Sequence, residues 1–339
     1  MRMKTELIIL LFSPLLLLAS PKLPDDMHAW AMSSIDCVFR EDYRNAEEQA
    51  RKIVRKYPDH PAGYFFMAAV LDSWMLRFQT SEKESDFYRY CDMAIEKGEK
   101  LLSDDPSNDW ARFFIGGADG FKGTYEARYE RYITAFRLGW KGVSLLMEMA
   151  SSGSEIVDIQ FGIGSYDYWR SAMMKMLWWM PGVDDKRSQG IKKLRNVMHN
   201  GVYTKTAAAM GLIDIYNNEK RYSEALELAA VMIKEHPRAL VFYWGRAKAL
   251  TGLGNHEDAV RVYRYILSRV ESDALNNHYN AVVCRLAIAK NLMEEKNYDQ
   301  ALRELNTIRS YSLDGTVKKR LDKQLKEANN LRKEASRGR

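Results

Sequence analysis

Hydrophobic residues recur at helical spacing through most of the chain. In one run, Ala225 and Leu226 are followed by Ala229 and Met232, and the run ends at Pro237. Apolar residues spaced in this way lie on one face of an α-helix. Proline cannot continue a helix, because it lacks the N–H and its ring clashes with the preceding turn. The pattern predicts an all-α protein built from short amphipathic helices.

The same run is repeated along the chain. Ala259 stands 34 residues after Ala225 and opens a similar apolar stripe. The openings Tyr43-Arg-Asn-Ala46, Tyr222-Ser-Glu-Ala225 and Tyr298-Asp-Gln-Ala301 also match one another. A period of this length indicates a repeat architecture, in which stacked units share a continuous core.

These repeats resemble the tetratricopeptide (TPR) family, whose unit is a pair of antiparallel helices with a small residue early in the second. The resemblance implies an α-solenoid of helix pairs, closed by a C-terminal capping helix. It is weakest in the middle of the chain, where Gly190 replaces the alanine. The expected segments are a signal peptide over 1–20, repeats over 27–106, divergent repeats with a long insert over 107–205, repeats over 206–313 and a basic capping helix over 314–339.

The N-terminus has the pattern of an export signal. Arg2 and Lys4 precede an apolar run over 7–18, and Ala19-Ser20 supplies small residues for cleavage. Because Pro21 would hinder a signal peptidase, an uncleaved N-terminal anchor with membrane association is the alternative. The chain has no Asn-x-Ser/Thr sequence, which favours a bacterial envelope. We expect an exported protein of the periplasm or outer envelope.

Charge does not indicate a nucleic-acid partner. The formal net charge is +6, and the segment 314–339 alone holds nine Lys or Arg against four acidic residues. The rest of the chain is therefore almost neutral, and the basic segment has the composition of a solvated helix. The three cysteines are far apart and predict neither a disulfide framework nor a zinc site.

No catalytic or cofactor motif is complete. The glycine-rich stretch 116–124 lacks the Gly-Lys-Thr order of a phosphate loop, and 161–166 lacks the third glycine of a dinucleotide fingerprint. The six histidines have no paired ligand spacing. We expect no enzymatic activity, no metal and no cofactor, and we interpret the glycines as points of close helix crossing.

Two surfaces are candidates for binding. The resemblance implies a concave groove lined by the first helix of each pair, and its register selects Met210, Asp214, Asn217, Trp244, Lys248, Lys290 and Met293. The second candidate lies in the stretch 166–181, whose apolar residues cover too wide an arc for one buried stripe. Its apolar patch comprises Trp169, Met173, Met174, Trp178 and Trp179. A central helix buried by the insert is the alternative interpretation of that stretch.

Together these features predict a non-enzymatic scaffold of the bacterial envelope that binds a partner peptide or helix in the concave groove. One alternative is a carrier that encloses a lipid or another apolar ligand in the Met- and Trp-rich region. Another is an accessory subunit of an envelope transport or assembly complex. The sequence leaves the identity of the partner and the oligomeric state open.

Overall fold

The computed structural model describes residues 22–174 and 184–338. The expected signal peptide, Trp178 and Trp179 lie outside these ranges, and so does the side chain of Met174. Within them the chain forms sixteen helices and no strand. The helices are α1 (Asp25–Phe39), α2 (Tyr43–Lys56), α3 (Pro61–Phe78), α4 (Glu84–Asp104), α5 (Asp109–Arg128), α6 (Tyr132–Ser151), α7 (Ile159–Met174), α8 (Arg187–Asn200), α9 (Lys205–Asn218), α10 (Tyr222–Glu235), α11 (Leu240–Gly252), α12 (His256–Glu271), α13 (Tyr279–Glu294), α14 (Tyr298–Ser310), α15 (Gly315–Arg320) and α16 (Asp322–Arg337).

The first fourteen helices form seven antiparallel pairs, stacked in chain order. The small residue expected early in the second helix of each unit is present and fully buried in five of them, at Ala46, Ala94, Ala225, Ala259 and Ala301. A short side chain at this point lets the two helices of a pair approach closely. The predicted all-α solenoid is confirmed.

Glycine replaces alanine where the helices approach more closely still. A Cβ atom added to Gly190 of α8 would lie 2.6 Å from the carbonyl oxygen of Gly164 in α7. One added to Gly116 of α5 would lie 2.9 Å from the carbonyl oxygen of Gly142 in α6. The glycine-rich stretches therefore act as helix-crossing points in the central repeats, as the sequence suggested.

The turn between the two helices has one backbone form in five of the pairs. A residue with positive φ comes just before the second helix: Glu41 (58°), Glu130 (60°), Lys220 (58°), Gly254 (75°) and Lys296 (57°). Only the fourth is a glycine, so the other four hold a left-handed conformation that side chains disfavour. The tight turn makes each pair antiparallel.

Helix α3 is the central helix of the N-terminal half. Twelve of its eighteen residues are buried, and they lie on all sides of the helix, including Phe65, Phe66 and Met67. A helix that is hydrophobic all round is a core helix. The rings of Phe113 and Phe114 from α5 and of Tyr203 from the start of the fifth unit surround it.

The C-terminal segment covers the end of the core. Helix α16 packs against α14 and α13 and buries Ala328 and Ala335. The expected capping helix is thus present, but it is interrupted at Leu321, which is itself fully buried. In the described ranges no helix is long and apolar enough to cross a membrane.

Residues of the first two pairs also contact the last three. The backbone N–H of Leu240 donates to Glu41, and the side-chain amide of Asn277 donates to the carbonyl oxygen of Phe78. The guanidinium of Arg320 donates to Gln79 from the start of the capping segment. The solenoid therefore curves until its two ends touch. First helices of consecutive pairs contact one another, as α1 does with α3, α3 with α5 and α9 with α11, so they line the inner side of this curve.

Candidate binding surfaces

The predicted groove residues lie on α9, α11 and α13, the first helices of three consecutive pairs. Met210 and Asp214 are four residues apart on α9, and Trp244 and Lys248 have the same spacing on α11. Residues at this spacing share one face of a helix. Asp214 and Lys248 are exposed, whereas Met210 and Trp244 are half-buried. The two helices thus present the same order of an apolar and a charged side chain.

The electrostatic surroundings of Asp214 are those of a concave surface. Its side chain reaches solvent, yet the protein around it desolvates the carboxyl group and raises its pKa above the usual value. The positive charge of Lys248 acts in the opposite direction and lowers that pKa. Within the described residues neither side chain forms an ion pair, so both charges remain available to a partner.

Asn217 has a structural role. Its side chain is buried, and the amide nitrogen donates to the carbonyl oxygens of Ile213 and Gly245, at 3.0 Å in each case. The bond to Gly245 ties α9 to α11, the bond to Ile213 lies within α9, and together they use both amide hydrogens. The residue holds the groove helices together and does not present its amide group at the surface.

The remaining predicted groove residues contact neighbouring helices. The ring of Trp244 meets Tyr263 of α12 edge to face, with the centroids 6.0 Å apart. Lys290 Nζ lies 2.6 Å from Glu327 of α16, and the half-buried Met293 packs against the core beside it. The capping helix therefore reaches the groove at α13, and the accessible part of the groove lies on α9 and α11.

Part of the predicted apolar patch is at the surface. Trp169 and Met173 of α7 are exposed, four residues apart on one face. The side chains of the other three members, Met174, Trp178 and Trp179, lie outside the described ranges. The described part of this patch continues onto α6.

The sequence reasoning missed the exposed residues of α6. Ile133, Phe136 and Trp140 lie at positions i, i+3 and i+7 and form one exposed stripe. The buried residues of the same helix, among them Val143 and Leu146, all lie in its second half. Val143 follows Trp140 at i+3, on the same face of the helix, so no periodic signal in the sequence separates the exposed half from the buried half.

The charged residues of the glycine-rich stretch on α5 form ion pairs within the protein. Lys122 is paired with Asp92 of α4, and the buried Asp119 forms an ion pair with Lys141 of α6, whose Nζ lies 3.0 Å from Oδ2. A phosphate-binding lysine needs an accessible ammonium group, which this arrangement does not provide. Across the described residues no group of three His, Cys, Asp or Glu side chains is arranged to hold a metal ion.

A cleft of about 780 Å³ lies at one edge of the third pair. It is bounded by the first turn of α5, with Trp110 and Arg112, and by the segment between α6 and α7, with Ser154 and Ile156. Its lining mixes polar and apolar groups, and the exposed residues of α6 and α7 do not contribute to it. The cleft is thus separate from both predicted binding surfaces.

Comparison with known proteins gives structural neighbours only. No protein-family model matches the chain, and no curated protein matches it. A tetratricopeptide repeat protein from Parabacteroides merdae is 16% identical, covers 91% of this chain and 100% of its own, and has a TM-score of 0.41. The TPR domain of P58(IPK) is 14% identical, covers 91% and 99%, and has a TM-score of 0.29. The similarity is remote, and the fold assignment rests on the helix pairs themselves.

Proposed function

We propose that this chain is a non-enzymatic scaffold that binds a partner protein in the groove on α9 and α11. The observation that carries this proposal is the repeated order of accessible side chains on two consecutive first helices. Met210 and Trp244 are half-buried, and Asp214 and Lys248 are charged and accessible. Asp214 and Lys248 form no ion pair within the described residues, so the fold does not use their charges.

The side chains of the groove define the chemistry of the partner. Methionine adapts its shape to apolar partners, and tryptophan is enriched among the residues that contribute most to binding energy. The two charges have opposite signs and lie on neighbouring helices, so they favour a partner segment with complementary charges. An amphipathic helix or an extended peptide with an apolar anchor fits this combination.

Photo-crosslinking tests the proposed groove. A photoreactive phenylalanine analogue is placed at Trp244 or Met210 in the full chain, and at the exposed Val231 of α10 as a control. We expect the two groove positions to cross-link one partner protein in the native cell envelope, and the control position to give none. Equal products from all three positions, or none from the groove, would contradict the proposal.

We propose further that the scaffold acts outside the cytoplasm of a bacterium. The support is the N-terminal order of basic, apolar and small residues over 1–20, which is typical of an export signal. N-terminal sequencing of the protein from the periplasmic and envelope fractions tests this. We expect a first residue near 20–22, whereas an intact Met1 in a soluble cytoplasmic fraction would exclude export.

A further inference from the structure

Exposed apolar side chains of α6 and α7 form one continuous surface. On α6, Ile133 is 89% exposed, Phe136 58% and Trp140 50%. On α7, Trp169 and Met173 are exposed, and the ring of Trp140 lies 5.9 Å from that of Tyr166, which joins the two helices. We call this surface, made of the exposed Ile133, Phe136, Trp140, Trp169 and Met173 with the half-buried Tyr166 between the two helices, the α6–α7 face.

The fold does not require this face. Helix α6 is fixed in the core by its second half, in which Val143, Leu146 and Met149 are buried, whereas Ile133, Phe136 and Trp140 lie in its first half. A side chain as exposed as Ile133 contributes almost nothing to the burial of apolar surface. An exposed apolar patch on a folded protein indicates a surface that another molecule covers.

On the described parts of α6 and α7 that carry the face, the accessible charges are basic. Arg137 and Lys141 are the only charged residues of α6 between 132 and 147, and Arg170 follows directly after Trp169 on α7. Lys141 is paired with a carboxylate of α5, but Arg137 and Arg170 form no ion pair within the described residues. The acidic residue nearby on α7, Asp167, is buried and paired with Lys193 of α8.

We propose that the α6–α7 face docks on the surface of an anionic lipid bilayer. Tryptophan and tyrosine concentrate at the level of the headgroups, where an apolar ring and a polar N–H or O–H are both satisfied. Arginine next to such rings meets the phosphates of anionic lipids. This contact is independent of the groove on α9 and α11 and of the N-terminal apolar run.

A second copy of the chain is a poorer occupant on electrostatic grounds. A two-fold symmetric contact places the same patch of both copies against each other. It would bring Arg137 and Arg170 of one copy close to those of the other, and the face, as far as the structure describes it, has no free carboxylate to compensate. An anionic membrane supplies the missing negative charge.

A dye on the face itself separates this docking from any contribution of the N-terminus. The three native cysteines are buried, so an Ile133→Cys variant of the full chain can be labelled selectively with an environment-sensitive fluorophore. We expect its emission to shift to the blue with phosphatidylcholine vesicles that contain phosphatidylglycerol. The same label at Leu253→Cys, also an exposed apolar position, should not respond. An unchanged emission from the label at 133 while the protein is bound to vesicles would overturn the proposal.

Charge reversal tests the headgroup contact with the same label at 133. Arg137→Glu with Arg170→Glu should weaken binding to these vesicles on the order of 10-fold. The control, Lys318→Glu with Lys319→Glu, changes the net charge equally in the basic segment and should leave binding unchanged. An equal loss in both variants would show attraction by net charge alone. A dimer in sedimentation equilibrium that Phe136→Ser dissociates, with no response to vesicles, would show self-association. Either result would overturn the proposal.

Discussion

Glu41 caps a helix that begins 199 residues later in the chain. Its Oε1 atom accepts the backbone N–H of Leu240, the first residue of α11, at 3.0 Å. The residue just before α11, Ala239, has no side chain that could accept this bond. The other carboxylate oxygen lies 3.0 Å from Nε of Arg77, and both side chains are largely shielded from solvent. One acidic side chain thus joins the first pair of the solenoid to the sixth.

We expect Glu41→Ala to lower the free energy of unfolding by about 2 kcal/mol, because it removes a helix cap and a shielded charge-assisted bond. Glu130→Ala is a matched control, since Glu130 has the same left-handed backbone and only an exposed ion pair with Lys323. Urea denaturation of the two variants measures the difference. Equal losses would mean that the bond to Leu240 contributes nothing to stability.

This contact also marks the limit of what the sequence could predict. The pairing of α9 with α10, or of α11 with α12, follows from local spacing, because the small residues at 225 and 259 recur with the apolar stripe around them. The approach of Glu41 to Leu240 depends on the summed rotation of the pairs between them. No periodic pattern records that sum. Glu41 is one polar residue in a turn, and Leu240 contributes only its backbone N–H.

The same limit on prediction from sequence applies to the candidate surfaces. The register of the repeats placed Met210, Asp214, Trp244 and Lys248 on adjacent helices, but it could not reveal that Asn217 is used to tie two helices together. An apolar stripe in sequence does not state whether it is buried. The apolar residues of α6 continue from Ile133 to Val143 on one face, so the sequence does not show that the first half of the helix is exposed and the second half buried.

Substitution of glycine by alanine should have opposite effects on stability at Gly190 and at Gly211. Gly190→Ala would place its Cβ 2.6 Å from the carbonyl oxygen of Gly164, so α7 and α8 must separate, and we expect a loss of about 1–3 kcal/mol. Gly211→Ala, inside α9, meets no atom within 4 Å and should stabilise the protein by about 0.5–1 kcal/mol. Thermal melts of both variants give the comparison. A stabilised Gly190→Ala protein would contradict the crossing described between α7 and α8.

His60 couples stability to pH in the acidic range. It is the cap residue of α3, and its Nδ1 atom accepts the backbone N–H of Ala62 at 3.2 Å. The ring packs edge to face on Phe114, with the centroids 5.9 Å apart. Burial lowers the pKa of His60 from 6.5 to about 4 in the folded protein. A protonated Nδ1 could not accept the bond, so the same geometry that buries the ring also requires its neutral form.

Between pH 6.5 and about 4, the unfolded state therefore binds a proton at this residue that the folded state does not. The stability that neutral His60 contributes is fully present above pH 6.5. As the pH falls through this window the free energy of unfolding decreases, by at most about 3 kcal/mol. His60→Asn keeps a side chain that can cap α3 but does not titrate. We expect the free energy of unfolding of the wild type, relative to this variant, to decrease through that window in urea titrations at a series of pH values. Parallel pH curves for the two proteins, together with an imidazole NMR titration near 6.5 in the folded wild type, would show that His60 is protonated without cost.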